Sequence, residues 1–106
     1  MANPTADVVV IGGGVNGCST AFHLAERGVK RVLLVERRQL GAGASGKSGS
    51  LVRMHYTNPH ESRLAHESLK YFHDWKNRVG GDCGFERLGY LKLVALGHRD
   101  RLERNV

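Results

Sequence analysis

An α/β fold built on a Rossmann-type βαβ unit is what the sequence predicts, and three observations carry the prediction. An apolar, β-branched run, Asp7-Val8-Val9-Val10-Ile11, leads straight into Gly12-Gly13-Gly14-Val15-Asn16-Gly17, a G-x-G-x-x-G turn. An amphipathic helix follows at once. A second apolar run then ends in an acid, Glu36, 19 residues after Gly17. Strand, glycine turn, helix, strand and terminal acid in this order are what a dinucleotide-binding unit needs. The unit is incomplete here, and a long helix and a short strand or hairpin are expected after it.

Taken in order, residues 1–6 read as a disordered or extended lead-in. The first strand, 7–11, is apolar throughout after Asp7, as suits a strand buried on both faces of a parallel sheet. The helix over about 15–27 puts Val15, Cys18, Ala21, Phe22, Leu24 and Ala25 mostly on one side, with His23, Glu26 and Arg27 toward the other. Gly28 supplies its stop. The second strand, 31–36, is nearly continuous in its apolar character, and the link between the strands suits a right-handed crossover through one helix. A Gly/Ser-rich loop, 41–50, follows the strand end on the side where α/β proteins bind ligands, and a short helix toward Arg53 is expected to open from it. Asn58 as cap and Pro59 at the first helical position open the longest helix, 59 to about 79, whose apolar face is Leu64, Ala65, Leu69, Phe72, Trp75 and Val79. Gly80-Gly81 ends it. A strand is expected at 90–94, with a shorter one at 85–88, and residues 97–106 read as the first turns of a polar helix.

At 106 residues the chain has room for one small domain, whereas a dinucleotide-dependent enzyme usually needs more than one domain of roughly 100–200 residues. The expectation is therefore the N-terminal part of a larger enzyme, with its substrate domain outside this chain. Hydrophobic content of 41% and charged content of 25% indicate a globular class. No apolar run approaches the roughly 20 residues that span a bilayer. The start carries no basic region followed by an apolar one, so the cytoplasm is the expected compartment. The two cysteines, Cys18 and Cys83, lack C-x-x-C spacing, and Cys18 reads as helix packing, with a redox or ligand role as the alternative. Net charge is +6, but the basic residues are spread along the chain with no block of like charge. They read as a solvated surface, and no nucleic-acid partner is expected.

The glycine turn has a physical logic. Gly12 lets the chain turn off the strand, Gly14 lets a pyrophosphate approach the backbone, and Gly17 lets the helix pack closely on the sheet. The helix N-terminus then offers free N–H groups and a partial positive charge to phosphate. Glu36 can accept hydrogen bonds from both ribose hydroxyls and would repel a 2′-phosphate, disfavouring NADP. Arg37 and Arg38 nevertheless keep that option open, and Arg37 is also placed near the adenine or ribose. The segment 41–48 also fits G-x-x-x-x-G-K-[S/T], the phosphate loop of nucleoside triphosphatases. Context opposes that match: four residues, Arg37-Arg38-Gln39-Leu40, separate it from its strand, and Gly49 is a poor helix start.

The strand and turn at 7–17, Val32-Leu33-Leu34-Val35-Glu36-Arg37, and Gly43-Ala44-Ser45-Gly46-Lys47-Ser48-Gly49-Ser50-Leu51-Val52-Arg53 together resemble the start of the FAD-dependent amine oxidoreductases of the D-amino-acid oxidase superfamily, within it the glycine/sarcosine oxidase and dehydrogenase branch. The likeness extends through Tyr56 and the helix with Arg63 and Tyr71 to Gly89-Tyr90-Leu91. The resemblance implies that residues 1–106 are the N-terminal part of an FAD-binding domain. FAD would lie extended, its ribose on Glu36 and Arg37 and its pyrophosphate over Gly12, Gly13, Gly14, Val15, Asn16 and Gly17. Its ribityl chain and ring would lie toward Ala44, Ser45, Ser48, Gly49 and Ser50. Lys47 and Arg53 would influence the flavin's electronics or meet an acidic substrate. The complete enzyme would oxidise the C–N bond of an amine or amino acid such as sarcosine or glycine and pass electrons to oxygen or a carrier protein. The loop lacks the histidine to which some relatives join the flavin, and Ser50 stands about where some sarcosine oxidases have a second arginine. The alternatives are an NAD-dependent dehydrogenase and a truncated, non-catalytic dinucleotide-binding module.

No catalytic residue is assigned, because the family's substrate-domain residues are not in this sequence. The six histidines show no H-x-x-x-H or Cys–His spacing, so no metal site is expected. They read as surface or cap residues, with His55 also able to approach a flavin. Phe72 and Trp75 read as ordinary helix core.

Overall fold

The computed structural model describes residues 5–104 and divides the chain into two units, Met1–Leu51 and Val52–Val106. In the first unit, β1 (Val8–Ile11) and β2 (Val32–Val35) pair in parallel, with Val8 opposite Val32 and Ile11 opposite Val35. Helix α1 (Val15–Glu26) makes the crossover and packs on both strands. The predicted βαβ unit is present. Its strands are shorter than expected by their polar ends, although Asp7 N still donates to Arg31 O at 2.9 Å and the Arg31 guanidinium pairs with the Asp7 carboxylate. The residues 1–4 of the expected lead-in and residues 105–106 of the expected last helix lie outside the described residues.

Helix α1 ends as its glycine predicted. Gly28 stands at φ +90°, its N–H donates to Ala25 O at 2.9 Å, and Val29 N donates to Leu24 O at 3.1 Å. These two bonds make a Schellman motif, which uses a left-handed residue to satisfy the last carbonyls of a helix.

One expectation fails in this unit. The strands were expected to be buried on both faces, but burial alternates: Val8, Val10, Val32 and Leu34 are half-buried, while Val9, Ile11, Leu33 and Val35 are exposed. A single crossover helix covers one face of a two-stranded sheet, and side chains in strands alternate between faces, so the other face stays open.

In the second unit, α2 (Pro59–His73) opens on the expected cap, Asn58 Oδ1 accepting from His60 N at 2.9 Å with proline at the first turn. The helix does not run unbroken to Val79. It breaks at Asp74 (φ −123°, ψ 31°), and a single further turn, α3 (Trp75–Arg78), follows. Asp74 holds the side chains of that turn, accepting from Asn77 Nδ2 at 2.6 Å and pairing with Arg78 at 3.4 Å. A short carboxylate in this position competes with regular helix geometry. Phe72 stacks on Trp75 and also meets Phe85, but Phe72 and Trp75 are only half-buried, so the helix core expected of them is not closed.

The strands expected at 85–88 and 90–94 are absent. Among the described residues this stretch has no regular structure, and Leu91 and Leu93 are 83% and 85% exposed. An isolated strand has nothing to accept its backbone hydrogen bonds, and no described strand of this unit offers a partner. After a 3-10 turn at Leu96–His98, α4 (Arg99–Glu103) supplies the expected polar helix. No helix among the described residues is long and apolar enough to cross a membrane.

Candidate functional site

The site lies in the first unit, where β1 runs out into the glycine turn. Gly12 N donates to Val35 O at 2.8 Å, so the turn leaves directly from the sheet hydrogen bonding. Gly12 has φ +104°, a conformation in which a side chain would be strained. Gly17 needs its missing side chain for a different reason: a Cβ there would overlap the Gly12 carbonyl oxygen and touch Val10. The helix therefore sits against the strand end at a distance only glycine allows, as the motif predicts.

Glu36, at the end of β2, reaches back across this turn. Its Oε2 accepts from Gly13 N at 2.7 Å and its Oε1 from Arg38 N at 2.9 Å. These backbone hydrogen bonds, that from Gly13 foremost, hold the carboxyl below its ordinary pKa; desolvation opposes them, and a smaller bond from Arg37 N and the charge of Arg38 add to them. Glu36 is thus an ionised acceptor at neutral pH. Each carboxylate oxygen can accept a further hydrogen bond, so its hold on the turn leaves capacity for ribose hydroxyls. The Arg37 side chain lies exposed beside it.

The Gly/Ser-rich loop folds onto the same turn. Gly41 N donates to Gly13 O at 2.8 Å, and Gly46 N to Gly41 O at 2.8 Å. Ala44 begins a 3-10 turn, Ser45–Lys47, and Ser45 Oγ accepts from Val15 N at 2.8 Å. Ser45 thereby caps α1, whose own cap residue, Gly14, has no side chain to do so. A Cβ on Gly14 would stand 3.2 Å from Ser45 Oγ. The structure brings Gly12, Gly13, Gly14, Val15, Gly17, Glu36 and Ser45 into one neighbourhood. Ser48, Gly49 and Ser50 continue beyond it: Ser50 N donates to Ser48 Oγ at 3.1 Å, and Ser50 takes φ 52°. Among the described residues these three have no hydrogen bond to the glycine turn. Asn16 lies exposed on the first turn of α1.

Ser48 itself is extended (φ −76°, ψ 148°) and no helix follows it before Pro59, so the triphosphatase loop is excluded. The expected helix toward Arg53 is likewise only the 3-10 turn. Cys18 is half-buried and its thiol donates to Gly13 O at 3.6 Å, a packing role inside the turn.

Neither Leu40 nor Gly41, the first residue of the Gly/Ser-rich loop, is among the cofactor-binding residues expected from the sequence, yet both act here. A Cβ on Gly13 would collide with Leu40 Cδ2 at 2.5 Å, and Gly41 supplies the amide that ties the loop to the turn. The signal available was the glycine directly after Leu40, where the chain turns at φ +74°. Among the described residues no group of three or more His, Cys, Asp or Glu is gathered to hold a metal ion.

The arrangement fits a dinucleotide. Of the first four amides of α1, that of Val15 is taken by Ser45 and that of Cys18 by Gly14 O at 2.9 Å. Those of Asn16 and Gly17 take no carbonyl among the described residues, leaving donors at a helix N-terminus where an anion binds.

A family model described as FAD dependent oxidoreductase, DAO, matches residues 7–106. The chain belongs to this family of FAD-dependent oxidoreductases. It is 32% identical over 89 residues to human mitochondrial dimethylglycine dehydrogenase, covering 84% of this chain and 10% of that protein. It is 46% identical over 72 residues to D-erythritol 1-phosphate dehydrogenase of Brucella abortus, covering 65% and 14%. It is 29% identical over 91 residues to sarcosine oxidase subunit beta of Rhizobium meliloti, covering 85% and 22%. The chain thus spans between about a tenth and about a fifth of the length of these relatives. No solved structure matches it. Membership in the family makes FAD the cofactor and removes the NAD-dependent alternative.

Proposed function

We propose that this DAO-family chain is the N-terminal part of an FAD-binding domain whose complete protein oxidises the C–N bond of an amine or amino acid, such as sarcosine or glycine. The observation that carries the reading is the joining of the glycine turn, Glu36 and Ser45 around the open amides of Asn16 and Gly17. Relatives named for dimethylglycine and sarcosine support the substrate class. The erythritol phosphate relative carries the same segment in an enzyme named for a C–O substrate, so the chemistry downstream of this segment varies.

Gly12, Gly13, Gly14, Val15, Asn16 and Gly17 would hold the pyrophosphate, and Glu36 with Arg37 the adenosine ribose. Ala44, Ser45, Ser48, Gly49 and Ser50 would face the ribityl chain and ring. When bound, FAD supplies the acceptor for the hydride equivalent leaving the substrate carbon. Glu36 fixes the ribose end and keeps the turn closed through Gly13. Ser45 accepts from Val15 N, so its own O–H is free to donate toward a phosphate oxygen. Lys47 brings positive charge for the reduced cofactor or for an acidic substrate. Oxygen or a carrier protein takes the electrons, the cytoplasm is the site of action, and this segment alone does not turn over.

The test is purification of the full-length protein. The expected result is a yellow protein whose released flavin is FAD, and whose absorbance bleaches anaerobically on adding sarcosine, glycine or another amine. A protein that binds FAD but is bleached by no amine, while a polyol phosphate bleaches it, overturns the substrate class. A protein that takes up no FAD overturns the site.

A further inference from the structure

The peptide between Gly13 and Gly14 is the most easily rotated in the glycine turn, because a glycine on each side lets it swing at little steric cost. Its orientation decides what the turn offers a ligand. In a planar trans peptide the C=O and N–H point in opposite directions, and no peptide bond among the described residues is cis. The preceding peptide follows this rule. Its N–H, on Gly13, donates to Glu36 Oε2 at 2.7 Å, while its C=O, on Gly12, faces α1, where a Cβ on Gly17 would overlap it.

The Gly13–Gly14 peptide is held by its carbonyl, from residues outside the glycine motif. Gly41 N donates to Gly13 O at 2.8 Å, and Cys18 Sγ reaches the same oxygen at 3.6 Å. Gly41 takes φ +74° to present this amide, and its own carbonyl accepts from Gly46 N at 2.8 Å. Leu40 lies over Gly13, its Cδ2 in the space that a Cβ there would need, beside Cβ and Cγ of Glu36. Leu40 is 64% exposed, so burial in a core does not account for its place.

With the carbonyl turned to Gly41, the N–H of Gly14 points to the opposite side of the turn. Among the described residues Gly14 N donates to no group. Gly14 is the cap residue of α1, so its amide adds a donor to the open amides of Asn16 and Gly17 at the same helix end.

We propose that Leu40 and Gly41 are positioning residues for the pyrophosphate of FAD: they capture the Gly13 carbonyl and thereby aim the Gly14 N–H at a phosphate oxygen. They act within the cofactor site proposed above and depend on it. A backbone N–H that meets a phosphate makes a charge-assisted bond, stronger than one between neutral groups. Released from Gly41, the same peptide is free to turn its carbonyl outward, where an acceptor oxygen faces the phosphate in place of a donor.

The test titrates the full-length apoprotein with FAD by flavin fluorescence, with ADP and adenosine as competitors. ADP carries ribose and phosphates, adenosine the ribose alone. Leu40→Ala is expected to weaken FAD and ADP by about tenfold and to leave adenosine unchanged, with Leu40→Met restoring most of the loss. Gly41→Val and Gly41→Asn both keep the amide and meet open space, but asparagine enters the left-handed region far more readily than a β-branched residue. Gly41→Val is therefore expected to lose more ADP affinity than Gly41→Asn. Leu96→Ala, at a leucine 92% exposed, is the control and leaves all three ligands unchanged. A far-UV circular dichroism spectrum like that of the parent confirms that each variant folds. Equal weakening of ADP and adenosine, or ADP affinity equal to the parent's in Leu40→Ala and Gly41→Val, overturns the proposal. A parent that binds neither FAD nor ADP overturns the cofactor site and this proposal with it, and because that result is read on the parent alone, the two failures are distinct.

Discussion

Gly17 and Glu36 do most to shape the site, and they do it in opposite ways, one by lacking a side chain and the other by using all of its own. A methyl group at position 17 has no room beside the Gly12 carbonyl, and the neighbour it meets is backbone rather than a flexible side-chain end. Gly17→Ala must therefore move α1 off β1. Overpacking of this kind costs typically about 1–3 kcal/mol, so FAD affinity of the full-length protein, measured by quenching of flavin fluorescence, is expected to fall by at least about tenfold. Unchanged affinity would show that the close approach is dispensable. Glu36 bears on pH. Its folded pKa is lowered, so its contribution is fully present above the unfolded carboxylate pKa and is lost as pH falls through the depressed folded value. FAD retention is expected to weaken in that acid range. In Glu36→Gln the side chain keeps one acceptor for two backbone donors, so retention is already weak at neutral pH and the acid-dependent loss is smaller than in the parent. Equal pH profiles for the two proteins count against the assignment. The motif spacing made both residues legible. Leu40 and Gly41 were not legible, because their roles come from loop residues meeting Gly13 across space, and no spacing rule reports such a meeting.

At the scale of elements, what could be read from sequence was what local chemistry decides. Asn58 with Pro59, Gly28 after Arg27, and the strand–turn–helix run each carry their own start or stop signal, and each stands where predicted. The errors came where an element depends on a neighbour. The apolar pattern at 90–94 is strand-like, but a strand needs a second strand, and this unit provides none among the described residues. The break at Asp74 has a local cause, though a subtle one: the apolar periodicity continues through Trp75 and Val79 while the aspartate redirects the backbone. Two substitutions separate these causes. Asn58→Ala removes the acceptor for His60 N, and loss of such a cap costs about 0.5–2 kcal/mol. Faster hydrogen exchange at the His60 amide is expected, with the amides at the far end of α2 little changed; exchange unaltered at His60 would mean that Pro59 alone sets the start. Asp74→Ala replaces a residue that favours caps with the best helix former. It is expected to join α2 to α3 and raise the helical signal in far-UV circular dichroism, whereas an unchanged spectrum would place the cause of the break in the packing of Phe72, Trp75 and Phe85.

For the whole chain, the decisive fact is how little apolar surface is hidden. Among the described residues no hydrophobic side chain is fully buried. One face of the two-stranded sheet is open, with Val9 52% and Ile11 86% exposed, and the register sets Val9 beside Leu33 and Ile11 beside Val35. Fully burying an aliphatic side chain is worth about 1.5–3 kcal/mol, so these four residues withhold a large part of what would offset the entropy of ordering the backbone. Two strands also leave sheet edges without partners. The glycine turn is held by hydrogen bonds to Glu36, Gly41 and Ser45, all long-range in sequence, while the unit as a whole lacks the burial that makes folding cooperative. The isolated 106-residue polypeptide is therefore expected to melt broadly, without a calorimetric peak, and to bind an apolar dye such as ANS before heating. FAD added in excess should sharpen the transition, because a ligand that binds only the folded form stabilises it by mass action. A sharp, dye-free transition in the absence of FAD would show that the covered face and the glycine turn suffice to hold the unit, and would separate the stability of this segment from any further covering of its sheet.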